Sequence, residues 1–270
     1  VHHGDTRWET KEGEALGLWS AKPIPPLRWA GRSIPRGIRL KTIPAGKSEP
    51  IIVPDRPWEG VIFGPTVMRI DGLYRMWYET VPPEDLAGQN AGERNLLCYA
   101  ESTDGVSWHK PSMELVSHPG WEGNNIVYGG PLAPRWGYHG SSVFLDPSCP
   151  AEQRYKIIHL GFLSREDFER FKTKTPDQVD PISERSKRPC GVFGATSPDG
   201  IHWTPLAEPL VLQNSDTQNI AYYDEFLGKY VAYFRTWVMG RRSIGRAESS
   251  EFRRFPLPET LIWPGPAVGP

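Results

Sequence analysis

Four side chains in this sequence have types and settings suited to proton transfer: Glu59, Glu79, His139 and Asp216. Carboxylates and imidazoles act as general acids and bases, and cleavage of a glycosidic bond normally uses two carboxyl groups. Glu59 follows Trp58, and the face of an indole ring suits stacking on the C–H face of a pyranose. Whether these groups act together depends on the elements that position them.

The composition argues against several classes of protein. The 31 Lys and Arg balance the 32 Asp and Glu, which is untypical of a nucleic-acid-binding domain. No run of roughly 18 consecutive apolar residues is present, so the sequence predicts no transmembrane helix and no membrane partner. The 27 Gly and 28 Pro favour turns, while 11 Trp are too many for a disordered chain. Together these features predict an all-β fold.

An eight-residue motif occurs three times and predicts a repeated hairpin. The copies span 101–108, 196–203 and 248–255, and the first two read S-x-D-G-x-x-W from their second residue. Asp-Gly between apolar runs is a strong hairpin signal. The Ser and Asp oxygens can accept hydrogen bonds from the backbone of the turn while the Trp packs over it. We therefore interpret these residues as structural.

A second hairpin pattern precedes each copy, at 67–78, 143–159 and 221–234, so each repeat contains four strands. Repeated four-stranded units are typical of β-propeller blades. The limits predicted for a single propeller domain over 1–270 are as follows: N-terminal strands or a partial blade at 1–55, blades at 56–112, 113–206 and 207–258, and a tail at 259–270.

Three blades do not close a ring, since four is the usual minimum. Two explanations remain: the N-terminal region supplies further strands, such as 37–44, or the sequence is part of a longer protein. We favour the second. The mixed-charge insert at 164–189 predicts two helical turns with Phe168 and Phe171 packed inward, and a lid or subunit contact fits it better than a nucleic-acid patch.

Strand direction assigns the candidate residues to one face of the repeats. The start of each first strand and the end of each second strand lie on the face of the long connections, opposite the short Asp-Gly turns. Long loops on a rigid scaffold commonly carry function. Aligning the first strands brings Phe63, Tyr138 and Asp216 into register, each one residue before Gly64, His139 and Thr217. The ends of the second strands carry Glu79 and Arg235.

The repeats resemble the five-bladed β-propeller glycoside hydrolases of families 32, 43, 68 and 117, which include invertases and arabinanases. The likeness covers about 55–258 and rests on the S-x-D-G-x-x-W turns, the D-G-x-Y-x-x-x-Y pattern at 71–78 and the LGKYVAYF segment at 227–234. The W-M-N-D-P-N-G-like motif and the R-D-P triplet of these families are absent, so the chain is similar to a divergent branch. Sialidase propellers are a weaker alternative, because their S-x-D-x-G-x-x-W motif is one residue longer.

This resemblance implies catalytic carboxylates at the starts of the first strands, where Asp216 is the best match. Glu59 or Glu79 is then the second carboxylate, and His139 tunes one of them. The residues predicted to bind substrate are Asp55, Trp58, Tyr138, Asn219 and Arg235. Structural roles remain open: Asp216 as a turn cap, residues 58–60 as a structural turn, and Glu79 paired with Arg235.

Two functions remain open: hydrolysis of an oligo- or polysaccharide by paired carboxylates, and carbohydrate binding without catalysis. The second is motivated by the lack of an Asp at the start of the first blade and of the R-D-P triplet. The resemblance favours a secreted or periplasmic protein. No cofactor is predicted: the three cysteines lack zinc-site spacing, and no ligand spacing supports the axial calcium ion of some relatives.

Overall fold

The computed structural model describes residues 8–9, 15–17, 46–86, 94–132, 137–238 and 240–262. The chain divides into two compact units, Val1–Glu49 with Trp263–Pro270, and Pro50–Ile262. In the first unit, strand β1 (Trp8–Glu9) pairs antiparallel with β2 (Ala15–Gly17). The strand predicted at 37–44 lies outside the described residues. One propeller domain over the whole chain therefore stays a prediction.

The unit Pro50–Ile262 contains three four-stranded antiparallel sheets, each ordered as in the sequence. The first sheet comprises β3 (Val61–Ile70), β4 (Leu73–Val81), β5 (Leu96–Ser102) and β6 (Ile126–Gly129). The second comprises β7 (His139–Leu145), β8 (Tyr155–Phe162), β9 (Cys190–Ser197) and β10 (Thr204–Pro205). The third comprises β11 (Ile220–Asp224), β12 (Lys229–Val238), β13 (Arg241–Ser249) and β14 (Glu259–Ile262). The all-β prediction is confirmed, and the described sheets do not close a ring.

The outer strands deviate from the regular hairpin pattern. After Trp108 only His109 bridges back to Glu101, and the chain leaves the first sheet before it returns as β6. Strand β14 lies in the segment that we expected to be a tail. An outer strand pairs along one edge only, so insertions there interrupt fewer hydrogen bonds than in a central strand.

The motif turns are structural, as predicted. Asp104 Oδ1 accepts hydrogen bonds from the backbone of Val106 and Ser107 at 2.8 and 2.7 Å, and Ser102 Oγ accepts one from Gly105 at 2.9 Å. The second copy repeats this pattern around Ser197 and Asp199. These bonds hold the short turns at the end of each sheet that lies opposite the long connections.

The three sheets pack against one another in chain order. Trp77 of β4 lies between the first and second sheets, where its indole N–H donates to Gly200 O at 2.7 Å. Phe234 of β12 lies in the core between the second and third sheets. Each large buried ring contributes roughly 1.5–3 kcal/mol to folding. The alternation of side chains along β4 sends Tyr78 to the opposite face, into a separate core with Trp58 and Trp121.

The charged insert folds into two short helices, α1 (Arg165–Lys174) and α2 (Pro181–Arg185). Ser164 caps α1 by accepting a hydrogen bond from the backbone of Asp167. Phe168 and Phe171 are buried against the second sheet, which confirms the prediction of two inward-facing rings. The roles of lid and subunit contact stay predictions.

Candidate active site

The candidate active site lies where long connections meet the first or second strand of each of the three sheets. Glu79 lies near the end of β4, His139 begins β7, and Asp216 lies in the 213–219 loop just before β11. Arg235 lies on β12, beyond the residues that pair with β11. We call these four residues the open cluster. Strand order and direction bring them together, because each occupies the same end of its sheet.

A chain of hydrogen bonds joins three members of the open cluster. His139 Nδ1 lies 2.8 Å from Glu79 Oε1, and His139 Nε2 lies 3.1 Å from Asp216 Oδ1. Arg235 Nη1 lies 3.4 Å from Asp216 Oδ2. The side chain of Glu79 is 1% exposed, that of His139 is 22% exposed and that of Asp216 is 61% exposed. The chain thus runs from a buried carboxylate through an imidazole to an exposed carboxylate.

The buried carboxylate of Glu79 is fully engaged. Oε1 accepts from Asn95 Nδ2 at 2.5 Å, and Oε2 accepts from the backbone N–H of Gly140 at 2.8 Å. Asn95 Nδ2 also lies 3.1 Å from His139 Nδ1. Because an ionised carboxylate only accepts, His139 Nδ1 is the donor to Glu79, and the approach of the Asn95 amide to that nitrogen is a contact between two donors. Glu79 therefore fixes the orientation of the ring and has no free edge for substrate.

Gly140 allows the Asp216 loop to approach β7. Its φ is +61°, and a Cβ there would lie 2.0 Å from Thr217 O. Asn219, which is buried, ties the loop to this point by donating to Gly140 O, Ser215 O and Thr217 O. The loop geometry thus depends on a glycine and an asparagine that carry no catalytic group.

The charges of the open cluster reinforce one another. Burial alone would lower the pKa of His139, but the hydrogen bonds to Asp216 and Glu79 outweigh it and raise that pKa to about 9. The hydrogen bond from His139, opposed by burial and aided by Arg235, lowers the pKa of Asp216. Near neutral pH the imidazole is therefore a cation that holds a transferable proton, and Asp216 is an anion.

The remaining predicted residues fall into two groups. Tyr138 is buried between the first two sheets, and its hydroxyl is hydrogen-bonded to Ser141. Tyr138 and Asn219 are both buried and support the open cluster from the protein interior. By contrast, Asp55, Trp58 and Glu59 lie elsewhere, in a network that includes Tyr78 and Lys110.

We call Asp55, Glu59, Tyr78 and Lys110 the closed cluster. Glu59, whose side chain is 0% exposed, accepts from Lys110 Nζ at 2.7 Å, from Tyr78 Oη at 2.5 Å and from the backbone of Asp55 at 3.0 Å. Lys110 also contacts Asp55 Oδ1 at 2.6 Å. Because Tyr78 and Glu79 are successive residues of β4, the two clusters lie on opposite faces of the first sheet.

Trp58 also differs from the sequence prediction in its setting. It is buried beside Trp121, and its indole N–H donates to Asn125 Oδ1 at 3.0 Å. Its ring therefore packs in the core and is not available for stacking on a sugar from solvent.

Sequence reasoning missed the groups that complete each cluster. Asn95 and the Gly140 N–H hold Glu79, Ser215 Oγ accepts from the backbone of Arg235, and Lys110 neutralises Glu59. The adjacency of Gly140 to His139 was a usable signal, but nothing in the spacing of Asn95 or Lys110 predicted their partners.

Within the described ranges, no three His, Cys, Asp or Glu side chains converge in a geometry suited to a metal ion. No helix in the same ranges is both long and apolar enough to cross a membrane.

Solved structures resemble this chain, although no protein-family model and no curated protein matches it. The family 32 β-fructofuranosidase of Bombyx mori is 10% identical, with a TM-score of 0.50, over 77% of this chain and 37% of its own. An N-acetylgalactosamine deacetylase from F. plautii is 13% identical, with a TM-score of 0.48, over 83% of this chain and 59% of its own. An endo-arabinase from Bacteroides thetaiotaomicron is 15% identical, with a TM-score of 0.46, over 78% and 66%.

The chain thus spans between about a third and two thirds of the length of these structures. At such low identity the likeness concerns the fold alone. It confirms the resemblance in fold to a glycoside hydrolase that the hairpin motifs predicted.

Proposed function

We propose that this chain hydrolyses a glycosidic bond in an oligo- or polysaccharide at the exposed end of the open cluster. The observation that carries the proposal is the hydrogen-bonded chain Glu79–His139–Asp216, which ends in an exposed carboxylate beside the long connections. The fold likeness to a glycoside hydrolase makes a sugar the natural substrate class.

The charges of His139 and Asp216 suggest which residue is the general acid and which is the general base. His139 carries the proton that the departing glycosidic oxygen requires, and ionised Asp216 accepts a proton from the attacking water. Cleavage of the C–O bond then leaves one sugar with that hydrogen and the other with the water oxygen. The proton on Asp216 returns to His139 through their hydrogen bond, which restores the starting state.

Glu79 acts behind the imidazole rather than across the scissile bond. The imidazole ring and two hydrogen bonds separate Glu79 from Asp216, so these two carboxyl groups do not flank the scissile bond as the acid and base of a usual glycosidase do. Because Glu79 is buried and fully hydrogen-bonded, its part is to stabilise the imidazolium and hold the ring in place.

Substrate binding should also lower the pKa of His139 toward neutral pH. A sugar oxygen that binds His139 Nε2 replaces Asp216 there and removes one of the two interactions that raise the pKa of His139. A lower pKa makes the imidazolium a better acid near neutral pH.

The test is a product screen combined with three variants. The protein is incubated with plant, algal and microbial glycans, and released sugars are detected by mass spectrometry. Asp216→Asn and His139→Gln should each lower release by about a thousandfold or more. Glu225→Gln, an exposed carboxylate in the turn beyond β11, is the matched control and should retain activity. Full release by Asp216→Asn would reject the proposal.

Carbohydrate binding without catalysis is the second candidate, and one observation favours it. Of the three predicted catalytic carboxylates, Asp216 alone has an exposed side chain, since Glu59 and Glu79 are buried. Binding of a glycan by the folded protein, with no sugar released from that glycan, would favour this function over hydrolysis.

A further inference from the structure

The exposed end of the open cluster contains more positive than negative charge. Its acidic groups are Glu79 and Asp216, and its cations are His139 and Arg235. A third cation, Arg242, is near enough to influence both Asp216 and Arg235 electrostatically. No carboxylate in the described part of the chain lies within 4.0 Å of Arg242. Two carboxylates, of which only Asp216 is exposed, therefore face three cations.

Strand register places the two guanidinium-bearing residues on one face of the third sheet. Trp237 of β12 is opposite Arg242 of β13, and directly opposed residues point to the same side. Arg235 precedes Trp237 by two positions and so shares that face. The Arg235 guanidinium carbon lies 6.0 Å from the Trp237 ring centroid. The Trp237 indole N–H is buried and has no hydrogen-bond partner among the described residues.

Two neighbouring guanidinium groups repel each other unless an anion lies between them. Asp216 compensates Arg235 only in part, because their ion pair is 3.4 Å long and Asp216 is also bonded to His139. Two other arginines in this part of the chain differ: Arg246 of β13 is paired with Glu248, and Arg254, between β13 and β14, lies 3.4 Å from Asp177. Arg242 thus brings a positive charge without a carboxylate partner among the described residues to the candidate active site.

We propose that the sugar bound beside Asp216 carries an anionic substituent, a carboxylate or a sulfate ester, which Arg235 and Arg242 hold. This inference rests on the proposed function for the position of the sugar, and it adds the class of substrate. Guanidinium groups form strong, directional hydrogen bonds to both kinds of oxyanion. Trp237, which shares this face of the sheet, supplies a ring face to the same ligand.

Matched ligands test this inference by titration calorimetry. The methyl glycosides of glucuronic, galacturonic and mannuronic acid are each compared with the methyl glycoside of the corresponding neutral sugar. Galactose 6-sulfate is compared with galactose. At least one anionic ligand should bind at least about tenfold more tightly than its neutral parent. The preference should weaken when NaCl rises from about 20 to about 300 mM, because charge contacts are screened. Inorganic sulfate alone is the reference for a site that binds any anion.

Two variants locate the preference. Arg242→Gln removes one exposed charge and should abolish most of the difference between anionic and neutral ligands. Arg253→Gln makes the same change in charge in the turn beyond the opposite end of β13, where Arg253 has no ion pair with a described residue, and should leave the difference intact. Three results would each overturn the inference. They are equal affinity for the anionic and neutral sugar of every pair, an unchanged preference for the anionic sugar in Arg242→Gln, and binding of inorganic sulfate without binding of any anionic sugar.

The outcome is separable from that of the proposed function. Release of neutral sugars by a protein without any anionic preference would reject the inference and leave hydrolysis standing. An anionic preference lost in Arg242→Gln, in a protein that releases no sugar, would support the inference and reject hydrolysis. The uronide and sulfate arms distinguish which oxyanion is recognised.

Discussion

The open and closed clusters contain similar groups but differ in their exposure to solvent. Each pairs a buried carboxylate with a cation, Glu79 with His139 and Glu59 with Lys110. In the closed cluster both partners are buried, and a tyrosine and a backbone N–H occupy the remaining positions around Glu59. In the open cluster the cation is itself 22% exposed, and its second nitrogen faces the exposed carboxylate of Asp216.

Burial of an acid therefore does not by itself identify an active site. What distinguishes the open cluster is a proton carrier with one side toward a buried anion and the other toward solvent. Lys110 also contacts an exposed carboxylate, that of Asp55, but Val53 O, Asp55 and Glu59 surround its ammonium group and its own side chain is only 6% exposed. We therefore expect variants of the closed cluster to affect stability and variants of the open cluster to affect chemistry.

The largest expected effect is on stability, from Lys110→Met. The change leaves the buried carboxylate of Glu59 without its cation, which should lower the free energy of unfolding by about 3–5 kcal/mol. Urea denaturation of the two proteins measures the difference. The double variant Glu59→Leu with Lys110→Met removes both charges and should recover part of the loss. If Lys110→Met lowered the free energy of unfolding by less than about 1 kcal/mol, the Glu59–Lys110 pair would behave as a solvent-exposed ion pair and not as a buried one.

The next effect is the pH dependence that His139 contributes. Its folded pKa of about 9 lies above the ordinary value of 6.5, so the contribution is complete below about pH 6.5 and is lost as the pH rises through 9. The free energy of unfolding should fall by up to about 3 kcal/mol between pH 6 and pH 10. Denaturation at several pH values measures the curve. His139→Gln should flatten it, and an equal slope in that variant would assign the effect to other groups.

Glu79→Gln tests whether the buried anion sustains the imidazolium. Removing that charge should lower the pKa of His139 by about one to two units, since hydrogen bonding and charge from Glu79 both raise it. Titration of the imidazole signals by NMR gives the value. Glu59→Gln is the matched control, because Glu59 lies across the first sheet, and it should leave the pKa of His139 unchanged. An equal shift in both variants would remove the distinction between the clusters.

The sequence predicted the open cluster better than the closed one for a physical reason. His139 and Asp216 precede or begin equivalent strands, and antiparallel pairing fixes where such positions lie. Glu59 precedes β3 in a segment without strand pairing, so no register indicated its direction. Its partner Lys110 follows the motif turn, in a stretch where the outer strand is interrupted.

The same limit applies to the fold. The turn motifs predicted the four-stranded sheets, because the Ser and Asp oxygens define each turn locally. They did not predict β6 at Ile126–Gly129 or β14 at Glu259–Ile262, because pairing of an outer strand depends on a distant edge. The face occupied by Glu79 could be predicted from β4 alone. The position of its neighbour Asn95 could not, because Asn95 comes after a long connection.

The smallest expected effect on stability comes from Asp216→Asn, the change with the largest expected effect on turnover. Asp216 is mostly exposed, and its contacts with His139 and Arg235 are open to solvent, so the free energy of unfolding should change by less than about 1 kcal/mol near neutral pH. The amide oxygen of Asn can still accept from His139 Nε2, which preserves the loop. Urea denaturation beside the product assay measures both quantities on one preparation. Substantial destabilisation with unchanged turnover would make Asp216 a structural turn residue, so that the two clusters would no longer differ in kind.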